Sequence, residues 1–534
     1  LKSEVESAIP KYLGPVWYVD ADASGPDYEG SPEDPFNEIG DAWGAGTPNQ
    51  YFDSGDTVLV LPGTYDSFYD LNLMAPDLQF VILGEKGADS TFIDGGENKR
   101  FISFENFNYD VSTKIIGLTI QNCAAADNGG AVRLVNGANI RVIDCIIDSN
   151  STTGPGAAGG AIFVSASSPR FIRTDFRGNH ASGQGGAIYI DGYDSRPRFF
   201  ECVFDGNETD NDQNGEGGAI ASANIPLFFQ RCQFTNNQSY GSGGAIFQQS
   251  MEGYQGWTVI TNSLFAGNSA RGAGSFTTGS AINVNSVDLL LENVTVVDNS
   301  CDITSSSDDW QGGAIFYSDA SVHLQNSIVW DNTPVPTYQG QINNTWSPSN
   351  LSINNSLIEN GTQYGGIVYD FDPLFVDPAN DDYHLSEASH AIGRGITPYQ
   401  SPTDGSLMPV DLLDLEGNDR VQPDDRVQTT DPSSLDLGAY ERPEATTAYP
   451  SWPQNLAVEP RHKSVILGWD DPLETTDVDY YIVYQGLAED GTLDSVSMVQ
   501  SDMARSAVYD TIIDLVNGTE YFFAVSAVDT SGYE

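Results

Sequence analysis

The sequence predicts an all-β solenoid, a single chain wound into a parallel β-helix. Two recurring signatures and one spacing carry that prediction. Gly129-Gly130-Ala131-Val132 returns as Gly159-Gly160-Ala161-Ile162, Gly185-Gly186-Ala187-Ile188, Gly217-Gly218-Ala219-Ile220 and Gly243-Gly244-Ala245-Ile246. It recurs degraded at Gly279-Ser280-Ala281-Ile282 and intact at Gly312-Gly313-Ala314-Ile315. Between these copies an apolar strand runs into an asparagine: Ile146 to Asn150, Phe176 to Asn179, Phe204 to Asn207, Phe234 to Asn237, Phe265 to Asn268, Val296 to Asn299 and Val329 to Asn332. Successive asparagines are 29, 28, 30, 31, 31 and 33 residues apart, a period that marks a solenoid.

Strand physics fits this period better than helix physics. The runs are short, β-branched or aromatic, and alternate apolar with polar, as in Ala187-Ile188-Tyr189-Ile190. Glycine, Asn, Asp and Ser break each run where the chain must turn. An asparagine at one place per coil can stack on the next, its amide bonding up and down the axis and satisfying turn backbone. One coil cannot bury its own inner face, so stacking makes the core continuous. Roughly eleven coils at a strand spacing of about 4.8 Å give a length of about 50 Å.

The paired Gly-Gly-Ala-Ile and Phe-x-x-Asn signatures resemble the repeat of chlamydial polymorphic outer-membrane proteins and related bacterial surface β-helices. That resemblance implies a right-handed coil and a bacterial exterior, and is nearly silent on activity.

With 22 Lys plus Arg against 75 Asp plus Glu, the formal charge is −53. Nucleic acid is an unsuited partner, because nothing on such a chain neutralises phosphates broadly. No apolar run reaches the roughly 18 residues that span a membrane. The chain opens at Leu1 without a leader, which reads as a processed, secreted protein. The five cysteines are not a disulfide framework. Cys145, Cys202 and Cys232 occupy one repeat slot that Thr174 and Ser263 fill in intervening coils, so their thiols read as packing, with a Cys202–Cys232 bridge left open. Sequons at Asn150, Asn207, Asn237, Asn293, Asn343 and Asn350 read mostly as ladder or turn residues.

In chain order, residues 1–54 form an N-terminal cap and the first strands. Glu4 to Tyr12 reads as a short helix over the open end of the stack, whose strand edges would otherwise recruit other chains. Trp17 to Gly25 and Gly55 to Tyr65 are similar to the opening of secreted bacterial right-handed β-helices, some of which are polysaccharide lyases or hydrolases. The β-helix covers 55–371. Residues 372–443, with Asp372 to Asp377, Ser389 to Gly393, Asp414 to Arg420 and Asp436 to Glu441, resemble the closing segment of choice-of-anchor surface proteins, which implies a C-terminal cap. Residues 444–452 are a linker. Residues 453–534 resemble a fibronectin type III β-sandwich, with Trp469 on a core strand and Leu515 to Tyr521 matching its tyrosine corner. The sequence stops at Glu534 before the last strand of that sandwich, which reads as a chain that continues.

Candidate chemistry is sparse. Arg170 and Arg198 lie one coil apart and can stack on one face, with Arg173, Arg177, Arg196 and His180 nearby. As a catalytic set, Arg170, Arg198 and His180 would serve a polysaccharide lyase; the plain alternative is surface ion pairing, worth little per pair. With 75 acids, some carboxylate pair always meets glycosidase spacing, so proximity has no weight. Ca²⁺ is the cofactor that suits the acidic turns Asp20, Asp22, Asp27 and Asp205, Glu208, Asp210, Asp212, Glu216, because it takes hard oxygen ligands. Trp257, Trp310, Trp330, Trp346, Tyr193 and Tyr240 offer rings to sugars or cap the core. The reading is a non-catalytic, extracellular structural or adhesive β-helix with carbohydrate or other surface subunits as partners. The alternatives are a polysaccharide lyase or glycoside hydrolase on this scaffold, or a carbohydrate binder without turnover.

Overall fold

The computed structural model describes the chain from Gly14 to Asp529, except for 25–28, 44–51, 67–70, 74–78, 106–108, 193–194, 211–214, 251–256, 272–277, 302–312, 334–339, 345–349, 387, 397–398, 401–406, 409–412, 419, 421–434, 442–453, 462, 471–477, 487–495, 505–508, 514 and 516–520. The expected helix at Glu4–Tyr12 and the linker therefore lie outside the described residues. The chain divides into two units, 1–442 and 443–534.

The first unit is a parallel β-helix. A turn of it runs from the strand Arg170–Ile172 through Asp175–Arg177, His180–Ala181 and Ile188–Asp191, and arrives at Arg198–Phe200 beside its starting point. Among the described residues the four strand types build four parallel sheets. Sheet I has twelve strands, from Val16–Val19 to Asn350–Asn354, and sheet II has twelve, from Gly63–Tyr65 to Val368–Tyr369. Sheet III has ten, from Leu71–Leu73 to Ile342–Asn344, and the short sheet IV seven, from Ala124–Ala125 to Ser300–Cys301. Among the described residues no helix is long and apolar enough to cross a membrane.

Register places like side chains on like. In sheet II, Ile147, Phe176, Phe204, Phe234, Phe265, Val296 and Val329 follow one another inward. In its coil the inward residue is thus Ile147 rather than the neighbouring Ile146, which faces out half-buried. Both are apolar, so alternation alone left the phase of that strand open. The rings of Phe176, Phe204, Phe234 and Phe265 stack at 4.7, 4.7 and 4.5 Å, nearly parallel. A second stack on sheet I, Phe171, Phe199 and Phe229, meets the first edge-on. Each ring is fully buried, worth about 1.5–3 kcal/mol in transfer plus about 0.5–1.5 kcal/mol per ring pair.

The glycine signature solves two steric problems at one corner. Gly185 has φ +70°, and a Cβ there would sit 2.2 Å from the Ile188 carbonyl oxygen. Gly186 lets the next coil approach: a Cβ on it would lie 2.0 Å from the Gly218 oxygen.

The described residues between 373 and 441 fold back against the outer side of sheet II. In early coils that outer side carries Asp148, Asp175, Arg177 and Gln233; in later coils it carries Leu264, Ala266, Val297, Ile328 and Leu357, all buried. Leu415, Ala439 and Tyr440 cover the first three of these, and Leu385, Ala391 and Leu437 the last two. The Gly438 N–H donates to the Asn326 carbonyl at 2.7 Å and the Ala439 N–H to Thr295 Oγ1 at 2.9 Å. The segment named as a cap thus docks on the flank of the stack.

The second unit contains two three-stranded antiparallel sheets: Gln454–Arg461, Ser464–Asp470 and Tyr509–Ile513, and Val496–Ala504, Val478–Gly486 and Phe522–Asp529. Val465, Leu467, Trp469, Tyr481, Val483, Ile512 and Leu515 form its core, with Trp469 edge-on to Tyr481 at 5.4 Å.

Candidate functional site

The asparagines form a continuous buried ladder. Asn179 Oδ1 accepts from the Asn150 N–H and from Asn150 Nδ2, both at 3.0 Å, and Asn179 Nδ2 donates on to Asn207 Oδ1 at 2.9 Å and back to the Ile147 carbonyl at 2.9 Å. The same set of bonds passes through Asn207, Asn237, Asn268 and Asn299 to Asn332. Each amide is used by its neighbours, so the folded chain leaves the sequons at Asn150, Asn207 and Asn237 shut, whereas Asn350 is exposed. The five cysteines are buried free thiols. Burial pushes the Cys145 thiol up to about 12, and Cys202 and Cys232 are unbridged, their thiols donating to the Phe200 carbonyl and to the Phe199 and Gln230 carbonyls.

The basic residues separate by phase. Arg170 pairs in register with Arg198 on sheet I, and the same slot continues backward through Arg141 to Lys114. Four cations therefore stand in line on four consecutive strands, about 4.8 Å apart. Sequence reasoning found only the last two; the steps of 27, 29 and 28 residues from Lys114 to Arg198 were the available signal. The slot beside them is apolar and half-buried: Ile116, Ile143, Ile172 and Phe200. Phe228 follows Arg198 in the cation slot, with the guanidinium 6.0 Å over its ring. Further along the sheet, Trp257 lies 5.1 Å from the His323 ring.

His180 does not join this line. Its peptide lies beyond Asn179, on sheet IV, and its Nε2 faces Asp210 Oδ1 at 2.9 Å. Arg173 occupies a left-handed corner (φ +45°) between sheets I and II and belongs to an alternating row, with Asp144 at 2.6 Å and Glu201 at 4.0 Å, where Arg231 also pairs with Glu201. Arg177 points off sheet II and pairs with Asp175.

The acidic turns are likewise shared among separate partners. Asp205 accepts from Thr235 and Asn236, Glu208 from Gln238, and Glu216 from Gln184 at 2.7 Å. Asp20 accepts from the Asp22 N–H at 3.0 Å, an Asx turn. Asp27, Asp212, Tyr193, Trp310 and Trp346 lie outside the described residues. Among the described residues, no three His, Cys, Asp or Glu converge in a cation-binding arrangement.

Burial raises Glu216 to about 7, against a lowering by the Gln184 bond. A raised carboxyl favours folding while protonated, so its contribution is complete below its ordinary 4.5 and is lost as pH climbs through about 7. The Gly217 and Gly185 amides, which bond across this turn to Ser242 and Glu216 carbonyls, should lose at least about tenfold of their exchange protection between pH 5 and 8. Glu216→Gln should remove that difference. A wild-type turn equally protected at both pH values would contradict this.

Residues 97–251 match the family described as right handed beta helix region. The probable autotransporter YfaL of Escherichia coli (strain K12) is 33% identical over 183 residues, 30% of this chain and 14% of that protein. The probable outer membrane protein pmp7 of Chlamydia pneumoniae is 28% identical over 200 residues, 36% of this chain and 20% of that protein. The chain thus spans a fifth or less of the length of these curated relatives. Among solved structures, the pectate lyase Pel9A aligns at 12% identity and a TM-score of 0.37, over 81% of this chain and 98% of that one.

Proposed function

We propose that this chain is a surface-exposed segment of a bacterial exterior protein, which works by display and binding rather than by turnover. One observation carries the reading. The polar residues that chemistry could have used are strung out in columns along the helix axis, one per coil, and are held by the coils above and below: His180 by Asp210, Glu208 by Gln238, and Arg173 by Asp144 and Glu201. Such columns repeat one surface many times, which suits multivalent attachment. Among the described residues they do not gather an acid, a base and a charge stabiliser at one reacting atom, as a polysaccharide-cleaving site must.

The names of the autotransporter and the outer membrane protein support an exterior location. The acidic balance supports solubility in an exposed setting. The two C-terminal antiparallel sheets around Trp469 enter the reading as a fibronectin type III-like spacer or docking module.

The test joins location with turnover. Antibody against the β-helix should label intact cells that make the protein, and the purified chain should release no unsaturated or reducing ends from pectin, alginate or neutral glycans. Labelling only after lysis would overturn the location. Product ends lost in Arg170→Ala or Arg198→Ala would overturn the non-catalytic role.

A further inference from the structure

We propose that Arg394, Tyr369, Phe371 and His390, beside the last strand of sheet II, bind one acidic sugar unit: a pyranose ring bearing a carboxylate or sulfate, carried on a glycan. The inference rests on the binding role proposed above and names its ligand class.

The Arg394 fork is the first support. Its Cζ lies 5.4 Å over the Tyr369 ring, and the side chain is exposed. Among the described residues no oxygen accepts from its guanidinium, so the N–H groups remain for an outside acceptor. Such a fork meets a carboxylate or sulfate through two parallel hydrogen bonds. The backbone beneath it is fixed at four successive residues. The Gly393 N–H donates to Asp436 Oδ1 at 2.8 Å, and the Arg394 carbonyl accepts from Asn355 Nδ2 at 3.0 Å. The Gly395 N–H donates to the Leu435 carbonyl at 2.8 Å and the Ile396 N–H to Asn326 Oδ1 at 3.0 Å. A fork held by its backbone and by a ring loses less freedom on binding than a loose side chain.

The rings are the second. Tyr369 stands in register with Leu357 on the outer side of sheet II. Its ring lies 5.8 Å from that of Phe371, which in turn meets the exposed His390 edge-on at 5.8 Å. Tyr369 and Phe371 are half-buried, packed against the cluster that holds Leu357 and Ala391, and the rest of each ring meets solvent. A pyranose has C–H faces and a polar rim, and it suits half-exposed rings with a few polar groups set beside them.

Nearby acceptors select a sugar among anions. Asp370 and Asp372 are exposed on either side of Phe371 in the chain. Each uses one oxygen on a peptide N–H: Asp370 Oδ1 accepts from Asn360 at 3.0 Å, and Asp372 Oδ1 from Leu374 at 2.8 Å. Neither pairs with Arg394. Two carboxylates on a chain of net charge −53 repel a densely anionic partner such as nucleic acid, an acidic peptide or a membrane of acidic lipids. Toward hydroxyls they are acceptors. A ligand with one anion among several hydroxyls meets the fork and the acceptors together.

The experiment measures binding of the full chain to trigalacturonate (carboxylate), a monosulfated trisaccharide (sulfate), maltotriose (neutral) and triglutamate (a peptide anion). Binding to an acidic sugar at least about tenfold tighter than to maltotriose or triglutamate is expected, and the preferred sugar assigns the anion. Arg394→Gln should weaken it at least about tenfold, the size of one hydrogen bond to a charged group. Arg394→Lys should not restore it, because a lone ammonium lacks the fork. Neither change alters the Arg394 peptide, so the Gly438 and Ala439 amides should keep their exchange protection in both. Arg271→Gln, which removes an exposed cation in another coil, should leave binding unchanged. No binding of either acidic sugar, equal binding by Arg394→Gln, full rescue by Arg394→Lys, or binding as tight to maltotriose or triglutamate would each overturn the proposal. The purified chain binds or fails wherever the cell places it, so such a failure leaves the surface location to the labelling test. Time-dependent product ends would instead sink the non-catalytic reading and leave the site standing.

Discussion

Asn207→Ala is expected to destabilise the middle coils by about 2–5 kcal/mol, because it strips a fully buried ladder position of both its roles. Asn207 Oδ1 accepts from the Asn179 N–H at 3.1 Å and from Asn179 Nδ2 at 2.9 Å. Alanine leaves both donors buried with no oxygen to meet. Asn207 Nδ2 donates to the Phe176 carbonyl and to Asn237 Oδ1, so the coil on either side loses a bond as well. A neutral hydrogen bond made in exchange for water is worth about 1 kcal/mol, but a buried donor left unmade costs about 1–3 kcal/mol, and here there are two. Solenoid stability is close to a sum of nearest-neighbour terms, so the damage should appear as a weak joint rather than uniform softening. Hydrogen exchange should accelerate at Asn179, Asn207 and the adjoining strands, while Ile315–Ser318 keeps its protection. A loss below about 1 kcal/mol with Asn179 still protected would mean that the ladder relaxes around the gap and is not what locks the coils.

The coils were legible because each turn meets the same steric and hydrogen-bonding problem and solves it with the few residues that can. Only glycine tolerates the approach of Gly218 to Gly186, and the amide of Asn both donates and accepts in one plane, so these residues recur at a period the eye can follow. Strand phase was less legible where both residues of a pair are apolar, as at Ile146 and Ile147. Sequence neighbourhood misled at His180: three residues from Arg177, it belongs to another sheet because the chain turns at Gly178 and Asn179. Conversely, Lys114 and Arg198 are 84 residues apart and share a line, which only accurate register reveals.

The flank docking left a trace that periodicity hides. A reader of inward slots sees Phe265 and Val296 continue the core and passes over Leu264, Ala266 and Val297 between them. Outward slots that turn from charged to apolar partway along a solenoid mark a surface that something must cover. Here the cover comes from more than a hundred residues downstream, Leu415 to Tyr440.

Arg420→Met should free that cover. The Arg420 side chain has no exposed surface, and its Nε donates to Asn262 Oδ1 at 2.6 Å, while Nη2 donates to the Gly438 and Ala439 carbonyls at 2.8 and 2.7 Å. Its Nη1 reaches Glu441 Oε2 at 3.3 Å. Asp414, Asp436 and Glu441 are all buried in the same segment, so this guanidinium stands among three carboxyls. Burial, then Asp436, raises the Glu441 carboxyl to about 9, with Arg420 opposing. Removing the guanidinium leaves Asn262 Oδ1 and the Gly438 and Ala439 carbonyls buried without their donor, at about 1–3 kcal/mol for each buried group left unmade. The sign with pH follows from the raised carboxyl: its stabilisation is complete below the ordinary 4.5 and drains away as pH rises through about 9. Docking of the wild-type segment should therefore loosen toward alkaline pH, and the variant should already be loose near neutrality. The Gly438 and Ala439 amides, which bond to Asn326 and Thr295, report docking directly by hydrogen exchange. They should lose protection in Arg420→Met while Asn207 keeps its own. Unchanged protection at Gly438 and Ala439 in the single variant would show that the apolar contacts of Leu415, Leu437 and Tyr440 hold the segment unaided.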